Sequence, residues 1–439
     1  MNKSKTGGKS RITRRDLMGA LASVTALTIV PRHVLGGAGQ TPPSEKVNLA
    51  GIGVGNRGEQ VLQMMEHHNI VALCDVDASF LAKASGRYER AKTYRDFRRM
   101  LEKEDKNIDA VTVATTDHTH VPISVMAMKM GKHCYCEKPL AHSIHEVREA
   151  TQVARRYALA TQLGTAAHAG YNFRRVVELI RGGAIGRVRD VHAWCDQAWG
   201  NMDRPRETPP VPKHLNWDLW LGPAPYRPYH PCYHPKAWRS WWDFGNGRLG
   251  DMGCHLIDLP FWALDLKYPL TAEAEGPPMH PESTPLWLIV HWEFPARGDR
   301  PPVRLTWYDG GKRPPQQKAH NMPDWPEAVL FVGTEGMLIS EWGKHELYPK
   351  EKFADFRRPP RMIRESIGHA EEWLAACKAA TPTGCNFDYS GPLTETVLLG
   401  TVAYRVGKKL EWDPVNLKAT NCPEAAPLIQ RAYREGWTL

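Results

Sequence analysis

Gly53, Gly55 and Gly58 stand at G-x-G-x-x-G spacing, and Asp75 follows at the end of the next apolar run. In this pattern the first glycine permits a tight turn, the second lets a pyrophosphate approach the backbone, and the third lets helix and strand pack closely. The helix N-terminus that follows attracts phosphate charge. A carboxylate at the tip of the second strand can accept hydrogen bonds from both hydroxyls of a ribose. The chemistry implied is dinucleotide binding, with Gly53, Gly55, Asn56, Arg57, Gly58 and Asp75 as candidate contacts. A plain glycine-rich turn would leave Asp75 unexplained. Two further polar groups follow apolar runs: Thr115-Thr116-Asp117-His118-Thr119-His120, and Glu137-Lys138-Pro139. Both fall where parallel strands should end, the edge of an open α/β sheet at which ligands sit. Thr115, His118, His120 and Glu137 therefore extend the candidate cofactor surface. An acid–lysine pair followed by a proline that can adopt cis is a way to hold the Lys138 amine rigidly.

These groups need a scaffold, and the apolar periodicity supplies one. Residues 47–52 read as a strand, and Val61, Leu62, Met64 and Met65 lie on one helical face. Strands follow at Ile70–Leu73, Ile108–Ala114, His133–Cys136 and Ala160–Leu163, with helices at 79–92, 94–102, 122–130 and 144–157 between them. This alternation describes a doubly wound nucleotide-binding domain over residues 45–165. Residues 166–439 read as a second domain for substrate and oligomerisation, with a helix at 166–182 and strands at Val188–Trp194, Trp287–Phe294, Val303–Tyr308 and Ala328–Leu338. Amphipathic helices are expected at Glu365–Ala379 and Thr394–Lys408, and a docked tail containing Tyr433 and Trp437. Between them Asn201–Asn246 is long, irregular and rich in proline and tryptophan. An ordered loop of that size is usually functional, so it is expected to wall the substrate pocket or to meet a neighbouring subunit.

The series GIGVGNRG, ALCDVD, ATTDHTH, GKHCYCEKP, GGAIGRV and GDMGCHLID resembles the Gfo/Idh/MocA family of oxidoreductases from about Val47 onward. The resemblance implies an N-terminal Rossmann domain followed by an α/β domain built on a large, mainly antiparallel sheet. The chain departs from the usual pattern at Thr116, where a proline is common. The resemblance also assigns Lys138 to a position beside the nicotinamide and the reacting carbinol, and makes Asp251 and His255 the other catalytic positions. The chemistry agrees. Hydride leaves a carbon only as the attached hydroxyl loses its proton, so a base must lie within hydrogen-bond reach. A neutral His255 can take that proton if Asp251, at i−4 on the same helix face, fixes its tautomer. Lys138 can polarise the carbonyl oxygen or relay the proton. Asp258, one turn further on, is expected to grip a substrate hydroxyl, with His168, Arg239 and Trp242 as further substrate contacts.

Composition narrows the class. The chain has 439 residues, is 42% hydrophobic and 24% charged, and carries a net +9, of which the first 40 residues hold +6. No basic stripe remains, so nucleic-acid binding is not expected. Sixteen tryptophans slightly favour a sugar ligand, since indole faces stack on sugar rings. The nine cysteines are scattered without a C-x-x-C pair, and no histidine or cysteine group has ligand spacing, so no metal is expected. Thr13-Arg14-Arg15-Asp16-Leu17 precedes an apolar run ending at Val30. That run is too short for a membrane span, where ~20 residues are needed. The pattern makes residues 1–40 a twin-arginine export signal, with the export machinery as a partner and the periplasm as destination.

Three activities follow. The first is an NAD-dependent oxidoreductase acting on a secondary hydroxyl of a sugar or cyclitol, with NAD preferred to NADP because Asp75 repels a 2′-phosphate. Arg57 softens that preference. The second follows from export, since outside the cytoplasm there should be no free NAD pool. The cofactor then stays bound and is restored each cycle, through a coupled oxidation–reduction or a glycosidase-type elimination via a transient ketone. The glycosidases of the resembled family depart from E-K-P, so an intact Glu137-Lys138-Pro139 favours ordinary hydride exchange. The third is a non-catalytic sugar-binding protein, against which Lys138, Asp251 and His255 argue. The resemblance also implies a homo-oligomer.

Overall fold

The computed structural model describes residues 45–197, 199–379 and 381–439; the expected export signal lies outside the described residues. The first sheet takes strands β1 (Asn48–Ile52), β2 (Asn69–Cys74), β3 (Lys92–Tyr94), β4 (Ala110–Val113), β5 (His133–Cys136) and β6 (Thr161–Leu163) in the order β3-β2-β1-β4-β5-β6. All five pairings are parallel. The order reverses between β1 and β4, which is the switch point where a doubly wound sheet opens a crevice at its carboxyl edge. Its helices are α1 (Arg57–Met64), α2 (Ala78–Arg87), α3 (Phe97–Glu104), α4 (Asp117–Lys129) and α5 (Ile144–Arg156). β4 is buried along its whole length, as a central parallel strand covered by helices on both faces must be.

The glycine turn behaves as its spacing implies. A Cβ on Gly58 would stand 1.8 Å from the Gly53 carbonyl oxygen, so only glycine lets α1 start against β1. Gly53 itself has φ +76°. Helix α4 begins five residues earlier than expected, so Asp117–His120 form its first turn and are buried. The expected start at Pro122 neglected how its missing N–H can be tolerated. That gap frees the His118 carbonyl four residues back, and Arg431 Nη2 from the C-terminal tail donates to it at 2.6 Å.

The second domain is built on a nine-stranded sheet ordered β13-β12-β11-β7-β10-β9-β8-β14-β15. Its strands are β7 (Val188–Cys195), β8 (Thr271–Glu275), β9 (Ile289–Phe294), β10 (Val303–Asp309), β11 (Glu327–Gly333), β12 (Met337–Ser340), β13 (His345–Tyr348), β14 (Leu410–Asp413) and β15 (Lys418–Ala419). Only β7 and β10 pair in parallel. The stretch Ala328–Leu338, with Gly333 and Gly336 expected at turns, is a hairpin, β11–β12, turning at Gly333–Gly336. Its helices are α6 (Tyr171–Arg181), the short α7 (Trp217–Leu221), α8 (Gly247–Leu264), α9 (His369–Ala379) and α10 (Phe387–Val406). Helices α8 and α10 cover the sheet, whereas α9 packs back onto the first domain, with Trp373 and Leu374 against Leu49, Val61 and Tyr135. Among the described residues no helix is long and apolar enough to cross a membrane.

Helix α8 is central because it carries Asp251, His255 and Asp258 while packing on α10. A Cβ on Gly253 would meet Val397 at 3.1 Å, so this glycine serves helix packing. The irregular stretch 201–246 is ordered around its own apolar cluster, with Trp217, Trp220, Tyr233, Trp241 and Phe244 buried. It is tied down onto the first domain. Ala78 N–H donates to the His214 carbonyl at 2.8 Å, Asn216 N–H donates to the Val76 carbonyl at 2.9 Å, and His234 Nε2 lies 3.0 Å from Asp77 Oδ2.

Gly58→Ala is expected to lower stability by about 3 kcal/mol, the upper end for overpacking, because the atom it meets is backbone. Urea unfolding reads the loss, and an unchanged midpoint would show that the turn can open without cost.

Candidate active site

Where the strap 214–240 crosses the carboxyl edge of the first sheet it roofs a half-open cavity of about 590 Å³. Gly53, Gly55, Asn56, Arg57 and Asp75 line it, along with Thr115, Thr116 and Phe80. Leu219, Trp220 and residues 234–240 form its roof, and Trp437 closes one side. The lining fits a dinucleotide. A Cβ on Gly55 would stand 2.5 Å from the Phe80 ring, and the Asp75 carboxylate sits at the strand tip. Asp75 has a second task that its position alone did not reveal. Its Oδ2 accepts from Val54 N–H and its Oδ1 from Asp77 N–H, both at 2.9 Å, which fixes the glycine turn. Each oxygen keeps a lone pair for a further donor.

Other cofactor candidates act from behind this surface. Glu137 is buried, and its Oε1 accepts from Arg57 Nε at 2.8 Å across the turn. His118 is fully buried, with Nε2 3.1 Å from the Trp220 carbonyl and its ring packed against Trp220 and Phe244. It anchors the strap rather than facing the cavity. His120 is also buried, placing Nδ1 2.8 Å from the Pro139 carbonyl and Nε2 3.2 Å from the Thr115 carbonyl. Burial holds its pKa down at about 4, so the neutral ring carries one proton and serves one carbonyl at a time. His120 thus braces the Lys138–Pro139 peptide, which is cis, against the Thr115 loop.

Lys138 leaves the tip of β5 and meets α8. Its Nζ donates to Asp251 Oδ1 at 2.7 Å and to the Asp251 carbonyl at 2.8 Å. Asp251 also accepts from Arg239 Nε at 3.0 Å and lies 3.4 Å from Arg248 Nη1. Three cations hold its carboxyl far below the usual range despite burial. Arg239 lines the cavity, so the Lys138–Asp251 pair sits directly behind that lining. The expected Asp251–His255 hydrogen bond is not formed, because the carboxylate is taken by these cations. His255 is partly exposed, and no described residue hydrogen-bonds its ring. Enclosure and then the Lys138 charge lower its pKa to about 3, so it is neutral at physiological pH.

Three expected substrate contacts stand elsewhere. His168 and Asp258 are buried and paired with one another, Nδ1 to Oδ1 at 3.0 Å. Tyr389 donates to Asp258 Oδ1 at 2.6 Å, and the His168 ring stacks on Trp262 at 3.9 Å. The Asp258 charge raises the His168 pKa in spite of burial, making this an internal ion pair. The Cys385 thiol lies in the same cluster. Trp242 is buried too, with Nε1 donating to the His280 carbonyl at 2.9 Å. Histidine, carboxylate and indole suit a sugar site or a buried polar cluster equally well, and burial decides for the second.

Residues not singled out earlier prove close to the chemistry. Trp199 and Trp238 line the cavity, and Arg248 lies 3.6 Å over the Trp199 ring. Asp117, in the middle of the ATTDHTH motif, is buried, and burial raises its pKa to about 8 against the pull of Arg239 and Lys138. Its only sequence signal was its place in the polar group Thr115–His120 after an apolar strand. A carboxyl that stays protonated in the fold but ionises in the unfolded chain loses stability as pH rises from about 4 to about 8. Relative to wild type, Asp117→Asn is therefore expected to gain about 1.4 kcal/mol of unfolding free energy per pH unit over that window. Denaturation of both proteins across that range measures it. A difference independent of pH would show that Asp117 is ionised in the fold.

Similarity to known proteins agrees with this geometry. Residues 47–165 match the family model described as oxidoreductase family, NAD-binding Rossmann fold. Residues 190–298 match the same family's C-terminal alpha/beta domain, so the two models together span more than half of the chain. The chain is 26% identical over 143 residues to myo-inositol 2-dehydrogenase of Thermotoga maritima, covering 32% of this chain and 42% of that one. It is 38% identical over 125 residues to an alpha-N-acetylgalactosaminidase of Bacteroides fragilis, covering 26% and 28%. These matches span less than half the length of either relative. The structure of a levoglucosan dehydrogenase complexed with NADH and levoglucosan superposes with a TM-score of 0.56 at 15% identity, over 83% of this chain and 99% of that one. The chain belongs to the Gfo/Idh/MocA oxidoreductase family, and its first domain is an NAD-binding Rossmann fold.

Proposed function

We propose that the protein is an NAD-dependent oxidoreductase acting on a secondary hydroxyl, or the corresponding ketone, of a sugar or cyclitol. The observation that carries this reading is the Lys138–Asp251 pair, 2.7 Å apart behind a cavity fitted to a dinucleotide, beside a neutral His255 with no hydrogen-bond partner among the described residues. Names of relatives support the substrate class: one is an inositol dehydrogenase and one solved neighbour a levoglucosan dehydrogenase.

Bound NAD supplies the acceptor for the hydride released when a carbinol C–H bond breaks. The residues manage the proton and the oxygen. Lys138, oriented by its two bonds to Asp251, donates toward the substrate oxygen and stabilises negative charge that develops there. His255, neutral and with ring nitrogens that bond to no described residue, accepts the hydroxyl proton as the C=O bond forms. Asp251 orients the lysine rather than the histidine. The strap and Trp437 cover the nucleotide end.

A second reading is favoured by that cover. A nucleotide beneath residues 234–240 and Trp437 would exchange slowly, which suits a cofactor regenerated on the enzyme through coupled oxidation–reduction or redox-neutral cleavage. Similarity to the alpha-N-acetylgalactosaminidase supports cleavage as the alternative. Residues 1–40 suit it as well, since we read them as a twin-arginine signal delivering a folded, NAD-loaded protein to the periplasm, there to act as a homo-oligomer.

Lys138→Ala is expected to reduce turnover by about 10²–10⁴-fold, the range for a positioned proton-transfer group, while nucleotide remains bound. Dialysis, denaturation and quantification of the released nucleotide, alongside assays with sugars and p-nitrophenyl glycosides with and without added NAD, separate the readings. Nucleotide lost in the variant would make the lysine structural. Wild-type protein emptied by dialysis would rule out the retained-cofactor reading.

A further inference from the structure

Lys138, Arg239 and Arg248 all turn toward the single carboxylate of Asp251, at 2.7, 3.0 and 3.4 Å. The nearby Asp117 carboxyl does not redress the balance, because burial keeps it protonated through neutral pH. Three cations therefore converge on one ionised carboxylate, in surroundings where uncompensated charge is costly. The three cations are not equivalent. Arg248 is nearly fully buried, with Nη2 donating to Gln197 Oε1 at 2.6 Å and Nε to the Gln197 carbonyl at 3.0 Å. Lys138 is committed to Asp251 and to the reacting oxygen. Arg239 uses only Nε. Its two terminal nitrogens bond to no described residue, its side chain is 31% exposed, and it lines the cavity. The guanidinium also lies 4.2 Å over the Trp238 ring, which holds the plane of the fork. A flat, backed fork whose two terminal nitrogens form one free edge matches the two coplanar oxygens of a carboxylate, and shared bonding to Asp251 fixes it at the reacting end.

We propose that the substrate is an acidic sugar, a uronate, whose carboxylate is bound by the free edge of Arg239 while a ring hydroxyl faces Lys138. Trp199 and Trp238 supply apolar walls for the ring. The proposal rests on the oxidoreductase reading, and it predicts selectivity by charge within that reaction.

The test uses the NAD-loaded protein and matched pairs: glucuronate with glucose, galacturonate with galactose, and glucose 6-phosphate as a second anion. Reduction of the nucleotide is followed by absorbance, and binding by thermal shift, which does not require turnover. Uronates are expected to exceed their neutral partners in kcat/KM by about 10–100-fold, the scale of a charge-assisted pair. Arg239→Gln should collapse that ratio toward one, chiefly through KM. Arg239→Lys, which keeps the charge beside Asp251 but not the fork, should restore part of it. Equal rates for acidic and neutral sugars, a preference for the phosphate, or a ratio untouched by Arg239→Gln would overturn the carboxylate assignment and leave the dehydrogenase standing. If no sugar reduces the nucleotide, the oxidoreductase reading fails, and the thermal shift still decides the assignment. Saturable uronate binding lost in Arg239→Gln supports it, and its absence overturns it.

Discussion

The ion pair between Lys138 and Asp251 is the contact on which the site depends. It joins the tip of β5 in the first sheet to helix α8 of the second domain, residues 113 positions apart. Neither partner is more than 13% exposed, and breaking a buried pair by removing one partner is costly, at about 3–5 kcal/mol. Arg239 and Arg248 join the same carboxylate, so one acid orders the lysine, one wall of the cavity and the start of α8. His255, one turn along, is left neutral and without a hydrogen-bond partner among the described residues, free to exchange a proton.

The nucleotide cavity depends on long-range closure as well as on the glycine turn. The strap from 214 to 240 is held by backbone hydrogen bonds to Val76 and Ala78 and by the His234–Asp77 pair. The tail closes the other side. Glu146 caps α5 with Oε2 on the Ser143 N–H, while Oε1 receives Arg431 and Tyr433. Arg434 grips Asp218 and the Gly222 carbonyl, which carries Trp437 to the cavity beside Phe97 and Arg98. Order in the tail, in α4 and over the cofactor surface is therefore one coupled feature. Pro122 is its hinge point, because the carbonyl it releases is the one that Arg431 takes.

The first domain was legible because its determinants are local. Strand, triplet, helix and Asp75 fall within about 30 residues, and each imposes its own geometry. The partners of Asp251 were not. The i,i+4 rule pointed to His255, but such a helical pair contributes only ~0.2–0.5 kcal/mol. Unit charges 4 Å apart interact by about 4 kcal/mol at an effective dielectric of ~20, so the distant lysine and arginines win. Local periodicity cannot name them. His168, Asp258 and Trp242 failed for a related reason, since their types suit a ligand site and their burial is set by α8, α10 and the loop at 280. Short strands such as β8 and β13–β15 carry too few alternating residues to stand out. The opposite holds for 201–246, whose length and aromatic content marked it as an ordered loop, and it roofs the cavity from its own apolar cluster.

The central claim is that Lys138 meets the reacting oxygen of a sugar beside bound NAD. A crystal structure of the protein with NAD and a non-reacting sugar analogue tests it most directly. The account expects the carbinol oxygen within hydrogen-bond reach of Lys138 Nζ, about 2.6–3.2 Å, with His255 facing the same oxygen. A sugar bound away from Lys138, with the amine still committed only to Asp251, would contradict it.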